Sequence, residues 1–324
     1  MTAILVIRPS SLGDVVHALA VVADVRANRP ELALDWVAEE AFVPLVGLHP
    51  GVRRTIPVAL RRWRRQLLAA AAWREFAAFR ADLRRERYAA VIDLQEQIKG
   101  SLLAAMACGP SHGPGVRGAR EPLAALWHDV RHPVPRRQHF QDRCRQLVGA
   151  ALGYTVDGPP RFGLVPPLPE RGLAPAGPYA LLVHGTSRDD KLWPEAHWRT
   201  LATQLGQTGI EALLPWGSEA ERVRSERIAA GVATARVLPR SGLPALAGLL
   251  RGAEVVVGVD TGLVHLAAAL GTPTVALFVA TDPAQDGVER ASRLARDLGR
   301  VGQAPDPADA WAAAGALLRQ SPRC

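Results

Sequence analysis

Short apolar runs alternate with stretches of helical periodicity along almost the whole chain. Ala3 to Arg8, Leu34 to Ala38, Thr55 to Val58 and Tyr88 to Asp93 are runs of strand length in the first half. Tyr179 to His184, Ile210 to Pro215, Arg236 to Leu238, Glu254 to Val259 and Thr274 to Val279 repeat the pattern in the second. Runs that are apolar throughout, rather than at every second residue, fit strands buried on both faces of a parallel sheet. Between them, Val15 to Asn28 reads as a helix. A long helix is predicted from about Gln66 to Arg87, with Leu68, Ala72, Phe76, Phe79 and Leu83 as its buried stripe, so its aromatics are assigned to core rather than to a binding surface. Further helices are predicted after Trp193-Pro194-Glu195, around Glu221, from Leu263 to Leu270 with Gly271 just past its end, and over Pro305 to Gln320. The pattern lapses once. Pro159, Pro160, Pro166, Pro167, Pro169, Pro175 and Pro178 crowd a segment without periodicity. Two α/β domains are therefore expected, 1–160 and 179–324, joined by a Pro-rich linker over 161–178.

The length of 324 residues suits two domains of ordinary size, and 48% hydrophobic residues can fill two cores. A net charge of +8 changes the picture more, because it implies an acidic partner: nucleic acid, anionic lipid or a phosphorylated glycan. No helix-turn-helix, zinc-finger or RNA-binding signature is present, which argues against nucleic acid. Part of the arginine content is also what a GC-rich genome produces. Met1 to Ile7 lacks a basic leader and its apolar run ends at Arg8, and no stretch offers 18 uncharged apolar residues. A cytoplasmic protein is expected. Cys108, Cys144 and Cys324 are scattered without metal spacing and are expected to be reduced thiols.

Candidate chemistry lies in the loops after the predicted strands. The stretch EVVVGVDTGLVHLAAALGTPTVALFVATDP, Glu254 to Pro283, reads as strand, helix, strand. Its first loop places Asp260, Thr261, Gly262 and His265 where parallel sheets and helix N-termini bind anionic ligands. The plainer reading is a capping Asp with a buried His. Near the N-terminus, Pro9 to Asp14 forms the loop after the first strand; Asp14 there is either a helix cap or a general base for a hydroxyl. Arg61, Arg62, Arg64 and Arg65 surround Trp63 and read either as a solvated helix end or as a clamp for phosphate or carboxylate. A loop from Gln95 to Ser101 carries Lys99 and Glu96; Arg120 and the basic stretch Arg131 to Arg145 extend the positive rim. In the second half Thr186, Ser187 and Lys191, between a strand and a helix, suit a diphosphate. There is no dinucleotide-binding glycine fingerprint and no P-loop, so hydride transfer and ATP hydrolysis are not expected. No acidic DxD pair stands in a suitable loop, so no metal is expected.

The segments DTGLVHLAAALGTPTVALF, RPSSLGDVVHALA, REPLA and HGTSRDDKLWPEAHW resemble the bacterial lipopolysaccharide heptosyltransferases, glycosyltransferase family 9. Together with RRWRR they are similar to the heptosyltransferase I branch of that family. The resemblance runs over nearly the whole chain and is weakest after Asp282. It implies a GT-B fold, two doubly wound Rossmann-like α/β domains facing a cleft, with a final helix able to cross back to the first domain. It implies that Asp14 is the catalytic base and that Lys191 assists the leaving group. Donor contacts would come from Thr186, Ser187, Lys191, Glu221 (or its neighbour Glu219) near the ribose, Ser241 near the adenine, Asp260, Thr261, Gly262 and His265. Acceptor contacts would come from Ser11, Gly13, Arg61, Arg62, Arg64, Arg65, Lys99 and Arg120. Glu96 departs from the family, which tends to carry a small residue there. The implied reaction is an inverting, metal-independent transfer of heptose from ADP-heptose to Kdo of Kdo2-lipid A, without a cofactor, on the cytoplasmic face of the inner membrane. Two other readings stay open: heptosyltransferase II or another ADP-heptose transferase with a different acceptor, and a non-catalytic lipopolysaccharide- or nucleotide-binding relative.

Overall fold

The structure, a computed structural model, describes residues 2–66, 68–170 and 172–320. The chain divides into two compact units, 1–165 and 166–324. The cut falls within the Pro-rich segment, and residues 166–178 go with the second unit.

The first unit is built from β1 (Ala3–Ile7), α1 (Leu12–Asn28), β2 (Ala33–Glu39), the single turn α2 (Val43–Val46), β3 (Val52–Val58), α3 (Leu60–Trp63), α4 (Ala70–Leu83), β4 (Ala90–Asp93), α5 (Ile98–Met106), β5 (Ser111–Pro114), β6 (Val130–His132) and α6 (Phe140–Leu152). Its six strands lie in the order β3-β2-β1-β4-β5-β6, all parallel. Central β1 is buried at every residue, and Ile4 faces Leu34 on one side and Ala90 on the other. This is what a continuous apolar run requires when helices cover both faces.

The second unit repeats the plan with β7 (Tyr179–Val183), α7 (Glu195–Gln207), β8 (Glu211–Leu214), α8 (Glu219–Ala229), β9 (Ala235–Val237), α9 (Leu243–Gly252), β10 (Val255–Val259), α10 (Gly262–Ala269), β11 (Thr274–Phe278), the single turn α11 (Pro283–Asp286), β12 (Ala295–Gly299) and α12 (Pro307–Gln320). Its parallel strands run β12-β11-β10-β7-β8-β9. Counted from the first strand of each unit, both sheets have the same order, in which the connections reverse direction between the first and fourth strands. Such a reversal opens a crevice at the carboxyl ends of those two strands, where doubly wound proteins bind ligands. Here these are the ends of β1 and β4, and of β7 and β10. Helix α12 packs on the second sheet, with Ala310, Ala314 and Leu317 in the same core as Val257 and Leu277.

Several expectations change. The long helix over 66–87 is shorter, α4 alone, and a separate single turn, α3, precedes the predicted start; the connection between them contains Leu67, outside the described residues. Leu68 is fully exposed (102%), so the buried stripe starts at Ala72 and continues through Phe79 and Leu83. Phe76 is only half-buried. The loop expected over Gln95 to Ser101 ends at Gln97, because α5 starts at Ile98 and carries both Lys99 and Ser101. Helices α6 and α9 and strands β5, β6 and β12 were not anticipated. Cys108 and Cys144 are free thiols, and burial raises Cys144 well above its usual range; Cys324 lies outside the described residues.

Close packing under the second switch point depends on Gly258. It faces Val183 across the β7–β10 pair, and a Cβ there would lie 2.7 Å from the Val183 Cβ and collide with the Val264 methyl of α10. Gly258→Ala should therefore destabilise the protein by roughly 1–3 kcal/mol, read as a lower denaturation midpoint. An unchanged midpoint would show that α10 moves freely over β10.

Candidate active site

In the first unit the predicted residues gather where β1 and β4 end. Asp14 is not the helix cap: Ser11 holds that place, and Asp14 in the first turn accepts from the Ser11 backbone N–H (2.9 Å) and hydroxyl (2.7 Å). Arg8, only 2% exposed, donates to the same carboxylate at 2.8 Å. Its second nitrogen bonds the Leu94 carbonyl beyond β4, and the guanidinium lies 4.5 Å over the Phe140 ring. Burial acts to raise the Asp14 carboxyl, but Arg8 and the two bonds from Ser11 outweigh it and bring it down to about 2. Asp14 is thus an ionised, oriented carboxylate. Gly13 is half-buried beside it.

The β4–α5 connection completes this half. Lys99 Nζ reaches Ser10 Oγ at 3.3 Å, and the Ser10 N–H donates to Gln95. Glu121, from the REPLA motif, accepts from the Ile98 N–H (2.9 Å) and the Gln97 side chain, so it caps the helix that carries Lys99. Arg120 is exposed next to it. Buried Asp93 is raised to about 7 by burial, against bonds from the Gln95 N–H and Ser101. Glu96 is the one non-glycine residue with positive φ (58°) among the described residues, a backbone region that favours glycine. Its buried carboxylate pairs with Arg143 of α6, which also bonds the Gly118 carbonyl.

The arginine run divides. Arg62 is engaged by Glu40 (3.0 Å) and Glu75 (2.7 Å), and Arg65 is exposed. Arg61 and Arg64 instead line a cavity of about 550 Å³ together with Lys99 and Ser10. Its other wall holds Trp63, Trp73 and Phe76; Phe76 packs against the core as assigned and also faces this cavity, and Trp73, which the predicted stripe leaves out, lines it too.

In the second unit the two strand-end loops meet. Lys191 Nζ lies 2.6 Å from Asp260 Oδ2, which also accepts from Thr281 Oγ1 (2.7 Å), while His265 Nε2 lies 3.1 Å from Asp260 Oδ1. Burial again acts to raise the Asp260 carboxyl, and the bonds from His265, Lys191 and Thr281 carry it below the usual carboxylate range. Thr261 is the N-cap of α10 and Gly262 its first residue. The loop bearing half-buried Thr186 and exposed Ser187 is anchored by fully buried Trp193, whose indole donates to the Pro305 carbonyl at 2.8 Å and meets Trp198 edge-on. Glu221 accepts from the Gly217 and Ser218 N–H groups and lies so close to Gly185 that a Cβ there would be 2.7 Å from its carboxylate. Glu219 turns outward to Arg222, which favours Glu221 as the inward carboxylate. Ser241 bonds the Pro239 carbonyl next to the start of α9.

Sequence reasoning missed Arg8, Thr281, Trp73 and Arg143. Arg8 and Thr281 had a readable signal, since Arg8 follows an apolar strand directly and Thr281 is the first polar residue after another. Trp73 and Arg143 did not, because only the folded helices bring them to the site.

Comparison with known proteins agrees with this geometry. Residues 76–293 match the family model for glycosyltransferase family 9 (heptosyltransferase). Lipopolysaccharide heptosyltransferase 1 of Escherichia coli K12 is 41% identical over 284 residues, covering 86% of this chain and 88% of that one. Lipopolysaccharide heptosyltransferase 2 of the same strain is 26% identical over 311 residues, covering 86% and 83%. The structure of E. coli heptosyltransferase WaaC with ADP-2-deoxy-2-fluoro heptose superposes with a TM-score of 0.85 at 37% identity, covering 98% of this chain and 99% of that one. A strand order shared by both units, ionised carboxylates at both switch points and similarity along nearly the full length lead to one conclusion: the chain belongs to glycosyltransferase family 9, the heptosyltransferases.

Proposed function

We propose that the protein transfers heptose from ADP-heptose to Kdo of Kdo2-lipid A, with inversion at the anomeric carbon. The higher identity to heptosyltransferase 1 than to heptosyltransferase 2 supports this acceptor over that of the second enzyme. The observation that carries the reading is the pair of strand-end carboxylates, Asp14 and Asp260, each held ionised by a cation of its own unit. Asp14 takes the proton of the Kdo hydroxyl as that oxygen attacks the anomeric carbon. Ser11 and Gly13 shape its loop, and Arg61, Arg64, Arg65, Lys99 and Arg120 meet the anionic acceptor, with Arg62 bracing the run through Glu40 and Glu75. In the donor half Lys191, Thr186, Ser187 and the α10 start at Thr261 and Gly262 stabilise the departing diphosphate. Asp260, held by His265 and Thr281, orients the heptose hydroxyls. Glu221 meets the ribose, and Ser241 lies by the adenine.

No described helix is long and apolar enough to cross a membrane; the enzyme acts peripherally, at the cytoplasmic face of the inner membrane where its acceptor is displayed. Lysine supplies the cation that neutralises the diphosphate, so the reaction proceeds without metal. ADP release from ADP-heptose should depend on added Kdo2-lipid A and persist in EDTA. Release independent of that acceptor, or abolished by chelation, would overturn the proposal.

Because Asp14 is depressed to about 2, it stays ionised over the working range, and the acid limb of kcat/KM should not come from it. Removing the cation in Arg8→Gln takes away the largest opposition to burial and leaves mainly the two bonds from Ser11, so an acid limb should appear at higher pH, whereas Arg8→Lys should restore the flat profile. Asp14→Asn should lower turnover by about 10²–10⁴ with donor binding retained. An Arg8→Gln profile identical to wild type would remove Arg8 from this role.

In the donor half, Lys191→Ala should weaken both ADP and ADP-heptose, while Asp260→Ala should weaken ADP-heptose far more than ADP. Calorimetric titration with both ligands decides it, and equal losses in both variants would refute the division.

A further inference from the structure

The cavity beside the arginine run is two-sided in its chemistry. Its apolar wall is a continuous aromatic chain. Trp63 meets Phe76 edge-on with centroids 5.7 Å apart, and Phe76 meets Trp73 edge-on at 6.3 Å. Leu60 and Ala72 fill the wall between them. Trp73 is 60% exposed, although it sits on a helix whose opposite face is well buried. An isolated exposed tryptophan needs no explanation, but a row of rings lining a concave space open to water is a binding surface.

The other side carries cations. Arg61 and Arg64 line it, Lys99 comes from α5, and Glu39 at the end of β2 is the one carboxylate among them. Arg62, the member of the run that faces away, is the one engaged by Glu40 and Glu75. The cationic side is also joined to the catalytic loop. Lys99 Nζ bonds Ser10 Oγ, and the next residue, Ser11, holds Asp14 through its N–H and hydroxyl. An occupant with an anionic polar end toward Lys99 and an apolar end against Trp73 therefore has its polar end beside the general base.

We propose that this cavity binds one fatty acyl chain of the glycolipid acceptor, with the chain on Trp63, Phe76 and Trp73 and the acidic sugar end on Arg61, Arg64 and Lys99. The inference rests on the acceptor reading given above and adds to it a site for the lipid part. Charge complementarity selects this occupant. Glu39, the one carboxylate of the lining, accepts from the Arg61 backbone N–H and answers one of the three cations, so an uncharged lipid would leave the other two unanswered, and a bare acidic sugar would leave the aromatic wall in water.

The test is steady-state kinetics with two acceptors: Kdo2-lipid A that keeps its N-linked acyl chains, used below its aggregation threshold, and the same glycan with every chain removed. The wild type should show a KM about 10-fold lower for the acylated acceptor. Trp73→Ala and Phe76→Ala should each raise KM for the acylated acceptor alone, closing most of that gap, with kcat and donor KM unchanged. Trp73→Phe should keep most of the preference. Trp73 is exposed enough for its alanine variant to fold, so that variant decides the matter if Phe76→Ala melts early. Equal KM increases for both acceptors would assign the wall to sugar stacking and overturn the proposal. So would equal wild-type KM values, or variants without effect. A wild type that transfers heptose to neither acceptor would instead defeat the acceptor reading itself.

Discussion

A parallel sheet covered by helices on both faces admits a charged side chain only where partners meet it, at the strand ends or, as with Asp35 of β2 beside Arg53, Arg54 and Tyr88, near an edge. That constraint governs this protein twice. β1 and β10 are buried at every residue, so Arg8 and Asp260 stand at the first positions where a charge can be met by partners rather than by hydrocarbon. The matching order of the two sheets then decides which strand ends matter. Where connections reverse, neighbouring loops diverge and leave room for a ligand. The ionised carboxylates Asp14 and Asp260 are found at that reversal because the fold offers few other places for them.

Burial alone would push both carboxylates toward the neutral acid. In each case a fixed set of donors reverses the tendency: Arg8 and Ser11 for Asp14, and His265, Lys191 and Thr281 for Asp260. These donors share a logic with oxyanion holes, since they are oriented before substrate arrives and need no reorganisation when it does. They also tie stability to acidity. A carboxylate whose folded pKa lies below its unfolded value stabilises the fold above the unfolded pKa, and that contribution fades as pH falls through the folded one. The Arg8–Asp14 pair, besides the catalytic role proposed for it, is thus a small part of the reason the first unit holds together.

Much of this was legible in residue order. Continuous valine, leucine and isoleucine runs announced the parallel strands, and the loops after them contained Asp14, Lys191 and Asp260. What escaped had physical causes. Ser111 to Pro114 and Val130 to His132 are edge-side strands too short and too polar to show periodicity. Helix α9 hides behind Pro244, and α6 carries enough arginine to pass for a charged rim, until Arg143 and Arg145 are seen to be buried against acidic partners. The α4 aromatics Trp73, Phe76 and Phe79 follow at three-residue intervals and touch in turn, so spacing could not separate Phe79, which is core, from Phe76, which packs on the core and faces the cavity, or from Trp73 at the cavity's open side.

Glu96 carries one last consequence. Its backbone sits where glycine is comfortable and other residues are strained by roughly 1–3 kcal/mol. Its carboxylate is also the counter-charge of an arginine buried against Phe140 and the Gly118 carbonyl. Neither residue can be changed without altering the circumstances of the other: a glycine would relax the loop but strand the guanidinium, and loss of the guanidinium would leave strain with nothing to offset it. The two positions therefore act as one coupled unit, and the cost of a substitution at either one depends on which residue stands at the other.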